Sequence, residues 1–328
     1  MKRLTLLALV AAFVSFNLLG SPLQLTVESN VLVLGSATVT NSSIAGSVAV
    51  GGSAGFSSVS LANGNGTSTG STPASASDQL NLIVAGSLSF SNGQLANGSG
   101  IYGGAATLTG VGTPHGQITQ GASTINFPDM KEVATQASAT FAAMDANGST
   151  VSQWGGVTMT GSSSELNVFT LSSSMLQSAN NVSITVPEGA AVLINVIGVT
   201  SSYQNAGLSL NGKSFSFEQA SAWSEVLWNF ADATSFTMQG VNFGGTILAP
   251  NTAVTLTNGQ VNGQVIAGSL ISSAQINNFR FNGTASGFDG IGDPQSDASE
   301  VPEPGTFTLA AAGAILLFAG KLKRRNRS

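Results

Sequence analysis

The sequence predicts an all-β protein built as a right-handed β-solenoid with one α-helix packed alongside. Three observations carry that prediction. Short runs alternate apolar and small polar residues. Asparagine-glycine pairs punctuate those runs too closely for ordinary hairpins. A loose unit of about 20 residues, close to one β-helix coil, recurs along the chain. A single segment departs from this pattern with helical periodicity, and two terminal segments add a signal helix and a transmembrane helix.

The N-terminus is the first element. Lys2 and Arg3 precede an apolar run from Leu4 to Leu19, and small residues follow at Gly20 and Ser21. A charged start followed by an apolar stretch of this length is the layout of a secretory signal peptide, over residues 1–20. The body, residues 21–283, then opens with strand-like runs. "VLVLGSATV" (Val31 to Val39) and "LNLIVAGSLSF" (Leu80 to Phe90) are followed later by "VSITVPEGAAVLINVIGV" (Val182 to Val199) and "TILAPNTAVTLTNGQVNGQVI" (Thr246 to Ile266). Alternation over four to seven positions marks half-buried strands. Asn-Gly pairs begin at Asn63, Asn65, Asn92, Asn97, Asn147, Asn211, Asn258, Asn262 and Asn282. Both residues tolerate positive φ, so each pair can turn a tight corner. Asn258 and Asn262 stand too close together to flank a normal hairpin strand, which suits a coil turning corners. The stretches Leu32 to Gly52, Leu82 to Gly104 and Ile247 to Ser269 repeat this layout. A β-sandwich is the alternative arrangement of the same strands.

Phe127 to Ala146 places Met130, Val133, Ala134, Ala137, Phe141 and Met144 on one helical face. The expected helix covers about 128–146. Pro128 sits in its first turn, Asp129 and Glu132 lie at the positive end of its dipole, and Asn147-Gly148 stops it. Such a helix in a β body covers an apolar side of the solenoid.

Residues 284–300 read as an acidic linker. Asp289, Asp293 and Asp297 recur there at a regular interval, without the full spacing of a calcium loop. The chain closes on Val301, Pro302, Glu303, Pro304 and Gly305, then an apolar run at 306–320, then Lys321, Lys323, Arg324, Arg325 and Arg327. As a helix, the apolar run reaches about 22 Å, which just spans the hydrocarbon with help from snorkelling lysines. The basic cluster holds that end in the cytoplasm.

Composition narrows the function. Body and linker together, residues 21–300, hold three basic residues, Lys131, Lys213 and Arg280, against fourteen acids, a net charge near −11. It cannot neutralise many phosphates, so nucleic acid is not an expected partner. With no cysteine and one histidine, neither disulfides nor a zinc site is expected, and no cofactor is called for. His115 stands in the turn-like "GTPHGQ" with no identifiable catalytic partner. Glu165, Glu188, Glu218, Glu225 and Asp232 are the candidates for a carboxylate pair acting on polysaccharide, but no spacing singles out two of them. Trp154, Trp223, Trp228, Tyr102 and Tyr203 have the chemistry to stack on sugars, yet their scatter suits packing. Thr38/Thr40, Thr107/Thr109, Thr158/Thr160 and Thr255/Thr257 form Thr-x-Thr pairs at no constant interval. An ice-binding face would need them in regular ladders. The expected protein is not an enzyme.

The closing segment, with "VPEPG" (Val301 to Gly305), the apolar run and the basic end, resembles the PEP-CTERM sorting signal. That resemblance implies retention in the inner membrane of a Gram-negative bacterium, cleavage by an exosortase, and a setting of exopolysaccharide, biofilm or floc. The body resembles the choice-of-anchor A family of adhesive domains. The likeness runs over most of Val31 to Gly283 and is carried best by "LWNFADATSFTMQG" (Leu227 to Gly240) and "GGTILAPNTAVTLTNGQVNGQVIAGSL" (Gly244 to Leu270). These stretches are also similar to the closing coils of ice-binding-like adhesion domains, which implies a discontinuous solenoid with a lateral helix and no assigned catalytic residues. The function expected is a structural or adhesive surface protein that contacts exopolysaccharide. Ice or glycan binding is the alternative, with a polysaccharide-degrading enzyme ranked after it.

Overall fold

The computed structural model describes residues 29–64, 79–214 and 222–281. The signal segment, the acidic linker and the whole sorting segment, with Val301 to Gly305 and the basic cluster from Lys321 to Arg327, lie outside the described residues, as does Glu218. No helix among the described residues is long and apolar enough to cross a membrane.

The first half of the chain is strand after strand: β1 (Val31–Val33), β2 (Ala37–Ile44), β3 (Val48–Val50), β4 (Ala54–Leu61), β5 (Leu80–Val84), β6 (Leu88–Leu95), β7 (Ser99–Tyr102), β8 (Ala106–Gly112) and β9 (Ile118–Gln120). Helix α1 (Phe127–Ala142) follows, then β10 (Ser149–Gln153), β11 (Gly156–Thr160), β12 (Leu166–Ser172), a short α2 (Ser173–Ser178) and β13 (Asn181–Thr185). The second half continues with β14 (Ala191–Ile197), β15 (Thr200–Gln204), β16 (Gly207–Leu210), β17 (Lys213–Ser214), β18 (Val226–Asn229), β19 (Ser235–Gln239) and β20 (Asn242–Gly244). It ends with β21 (Thr246–Thr257), β22 (Gln260–Asn262), β23 (Val265–Ser272) and β24 (Gln275–Asn277).

These strands wind into three-sided coils. Face A stacks β12, β14, β18, β21, β23, β1, β3, β5, β7 and β9, all parallel. Face B stacks β15, β19, β21, β23, β2, β4, β6 and β8. Face C stacks β20, β22, β24 and the second halves of β2, β4, β6 and β8. A smaller sheet, β10-β11-β13-β16-β17, carries face C onward. One full coil carries the chain from Val31 to its neighbour Val48, and another from Ile247 to Val265. Both are slightly shorter than the repeat suggests. Parallel ladders of this kind rule out the β-sandwich.

The order along the solenoid differs from the order along the chain. The first coils begin at mid-body and run to one end. Helix α1 returns along face A, and the remaining coils start at the far end and close on the middle, where β23 pairs with β1. The solenoid is therefore discontinuous, as the family resemblance implied.

Burial explains the two strand patterns. Strands of face A such as "VLV", "VAV" and "AVLINVI" read as near-continuous apolar runs, the last broken only by Asn195, because both their sides are covered. Val31 and Val33 point into the coil, whereas Leu32 points out to the helix. Strands of face B alternate instead, with Val39, Phe56 and Phe90 inside and Thr38, Gly55 and Ser89 outside. Inside, aliphatic columns dominate the first coils, with Phe56 and Phe90 edge to face at 5.4 Å. The later coils are filled by Trp228, Phe230, Phe236 and Phe243.

Helix α1 forms where the helical periodicity predicts it. It buries Phe127, Ala134, Ala137, Ser138 and Phe141 against Leu32, Ala49, Leu227, Leu248 and Ile266. Its 16 residues give about 24 Å of rise, or roughly five rungs of the sheet. The expected C-terminal end at 146 is corrected to Ala142. Two buried asparagines of face A hold the last turns. Asn229 Nδ2 donates to Ser138 O at 2.8 Å, and Asn195 Nδ2 donates to Phe141 O at 2.7 Å. These bonds tie the last turns to face A, where Phe141 O also accepts from Met144 N at 3.2 Å. Asn229 also donates to Asn195 Oδ1 and accepts from Ser138 Oγ, so every member of this buried cluster is paired. Asn147 has another task. Its side chain accepts from Val168 N at 2.7 Å and donates to Leu166 O at 2.9 Å, covering the free edge of β12.

Candidate functional site

Face B is the candidate site. It is built from the outward half of each alternating strand, and the register assembles two columns. The first runs Ser202, Thr237, Thr255, Ile271, Thr38, Gly55, Ser89 and Thr107. The second holds Gln204, Gln239 and Thr257 in the later coils and Thr40, Ser57, Ser91 and Thr109 in the earlier ones. Rungs spaced about 4.8 Å apart make a face roughly 34 Å long. Hydroxyls within a column meet directly, as Ser91 Oγ donates to Ser57 Oγ at 3.3 Å.

Three of the four Thr-x-Thr pairs share this face. The fourth, Thr158/Thr160, stands on β11 in the smaller sheet. No interval in the sequence shows the grouping, because Thr38 and Ile271 are spatial neighbours from opposite ends of the body. Ile271, at 59% exposure, and Gly55 interrupt the first column, and glutamines extend the second. The surface is a broad field of hydroxyl and amide groups rather than an unbroken threonine lattice.

One residue in the left-handed conformation turns each coil from face B to face C. The stack includes Asn205 (φ 49°), Gly240 (65°), Asn258 (51°), Asn41 (49°), Ser58 (56°), Asn92 (52°) and Gly110 (62°). Asparagine and glycine occupy all of these corners except Ser58 because they tolerate that region at low cost. Of the Asn-Gly pairs, those at Asn92 and Asn258 supply such corners. Asn211-Gly212 instead makes a tight hairpin between β16 and β17, with both residues at positive φ.

The other candidates separate. Trp223, Trp228 and Tyr203 are buried. Trp228 Nε1 donates to Gly244 O at 2.9 Å, and burial pushes the Tyr203 hydroxyl above its ordinary range. Tyr102 is half-buried at the β9 end. Trp154 alone is open, 89% exposed at the tip of the β10–β11 hairpin. His115 sits in an exposed turn between β8 and β9. Glu188 and Glu225 line one cleft of about 780 Å³ with Lys213 and Trp223, near the β16–β17 hairpin. Burial raises the Glu225 carboxyl above the usual carboxylate range. Glu165 and Asp232 do not line that cleft. Among the described residues, no three His, Cys, Asp or Glu side chains gather as a metal site would need.

Fold and surface together define a three-sided parallel β-solenoid with a lateral helix and a hydroxyl-rich face. The family model described as "Putative Ice-binding-like adhesive domain" matches residues 23–278, and the chain belongs to that family. Among solved structures, it is similar to an ice-binding protein from an Antarctic ascomycete, Antarctomyces psychrotrophicus. The identity is 16%, with 68% of this chain and 100% of that chain covered and a TM-score of 0.33. It is also similar to an ice binding protein from an Antarctic Biological Consortium, at 13% identity over 80% of this chain and 90% of that one, with a TM-score of 0.31. No curated protein matches.

Proposed function

We propose that the chain is an exported adhesive protein of the cell surface or extracellular matrix, acting in biofilm or floc through face B. The observation that carries this reading is the register of face B, which gathers scattered Ser, Thr and Gln residues into one polar surface. Such a surface suits a polyhydroxyl polymer, where many weak hydrogen bonds add up through multivalency. The interruptions at Ile271 and Gly55 favour a flexible polymer such as exopolysaccharide over a crystalline lattice. The protein works by binding rather than by catalysis.

Position in the fold supports the same reading. Ser29 and Phe281, the outermost described residues of the chain, both lie beside the mid-body coils. Gln264 donates to Ser29 O at 2.7 Å, and Phe281 packs with Leu32 and Ile266 in the layer under the helix. The chain therefore enters and leaves at the C-to-A side, which in a three-sided coil lies opposite face B. In this proposal the tail holds a precursor in the inner membrane until an exosortase reads Val301 to Gly305.

Two measurements test the proposal. Deleting the gene should weaken floc or biofilm cohesion, and supplying the full chain should restore it. Unchanged cohesion in the deletion removes the adhesive reading. Replacing Pro302 and Glu303 by alanine should leave an unprocessed, membrane-retained precursor on an immunoblot, and normal processing would reject the sorting role.

A further inference from the structure

The two ends of the solenoid are finished differently. At the far end, Asn147 satisfies the edge of β12, and α2 packs against β15 where another strand of face B would lie. At the other end, β8 has no strand on its outer side among the described residues. All of its residues except Val111 are exposed. The interior column Val39, Phe56, Phe90 ends there on Leu108, which is 42% exposed although it aligns with the fully buried Phe90. This edge has no proline or lysine, and residues 79–126 contain no Asp, Glu, Lys or Arg. Natural proteins protect open edges with such residues or with bulges.

We propose that a second copy of the chain covers this edge, with β8 pairing antiparallel to β8 of the partner about a two-fold axis. The capped far end cannot extend face B, so head-to-tail growth is blocked and an isologous, closed dimer remains. Identical ends normally repel through like charges, but these carry none. The pairing covers each Leu108 with its counterpart and completes the open N–H and C=O groups of both strands. A two-fold axis perpendicular to face B keeps both such faces on one side and doubles the length of the polar surface. The proposal stands apart from what that surface binds.

The test is sedimentation of the full chain in detergent, with single-cysteine cross-linking, which is clean because the chain has no cysteine of its own. The wild type should sediment near twice its 32.9 kDa. Thr109→Lys, whose side chain points outward, should sediment as a monomer with an unchanged circular dichroism spectrum and melting temperature. Thr107→Cys chains mixed with Thr109→Cys chains should form mixed disulfide dimers at least tenfold faster than Ser152→Cys, on β10, forms its own. A monomeric wild type overturns the proposal. So does a dimer that survives Thr109→Lys without faster cross-linking at β8.

Discussion

At the residue scale, the corners set the shape of the coil. Asn92 and Asn258 adopt a conformation that a β-carbon disfavours by roughly 1–2 kcal/mol in most L-residues. Asn92→Ala should cost about 1 kcal/mol, whereas Asn92→Gly should be near neutral, as read from urea midpoints. Equal losses would mean that the asparagine side chain, not its backbone, matters at this corner. Glu225 makes a separate prediction. Burial raises its folded pKa, so the folded state binds more protons than the unfolded state just above the ordinary carboxylate range. Its contribution to stability therefore falls as pH rises through that window and returns on acidification. Glu225→Gln should flatten this slope in denaturation curves taken across mildly acidic pH. An unchanged slope would assign it to another group. The sequence shows that asparagine and glycine turn the chain here. It does not show which pair makes a corner and which a hairpin, since Asn211-Gly212 and Asn258-Gly259 differ only in what their flanking strands stack upon.

At the element scale, α1 holds the outer side of face A. Its existence and buried face are legible because Ala134, Ala137 and Phe141 keep helical spacing in a chain that otherwise alternates. Its anchoring is not legible, because the side chains that hold its last turns, Asn195 and Asn229, come from strands β14 and β18, far downstream in the chain. Phe141→Ala should destabilise the protein by about 3–5 kcal/mol through the cavity it leaves. Asn229→Ala should cost about 1–3 kcal/mol by stranding Ser138 and Asn195 without a partner. Hydrogen exchange should then show the last turn of α1 opening before the interior strands. Uniform exchange across the molecule would deny the asparagines a local role in holding the helix end.

At the scale of the whole molecule, the solenoid is recognisable from alternation, corners and the loose repeat, whereas the order of its coils is not. The repeat reports local coil length. It carries no signal that Val31 will pair with Val265. The same limit hides face B, whose columns join Thr255 and Ile271 to Thr38, from opposite ends of the chain, across this junction. A patch that depends on long-range register can be named from sequence only as scattered Thr-x-Thr pairs. Junction and candidate site are thus linked, because closing β23 onto β1 makes two short hydroxyl strips into one long surface.

The central claim is that this surface carries adhesion. Its most direct test is retention of the full chain on immobilised exopolysaccharide under flow. Thr38→Glu combined with Ser89→Glu would be compared with Asn242→Asp, on face C. All three positions are exposed, so none of these changes should disturb the core. The account predicts at least a tenfold shorter retention for the face B variant and wild-type retention for the face C variant. Undiminished retention of the face B variant, or equal loss from both, would contradict it.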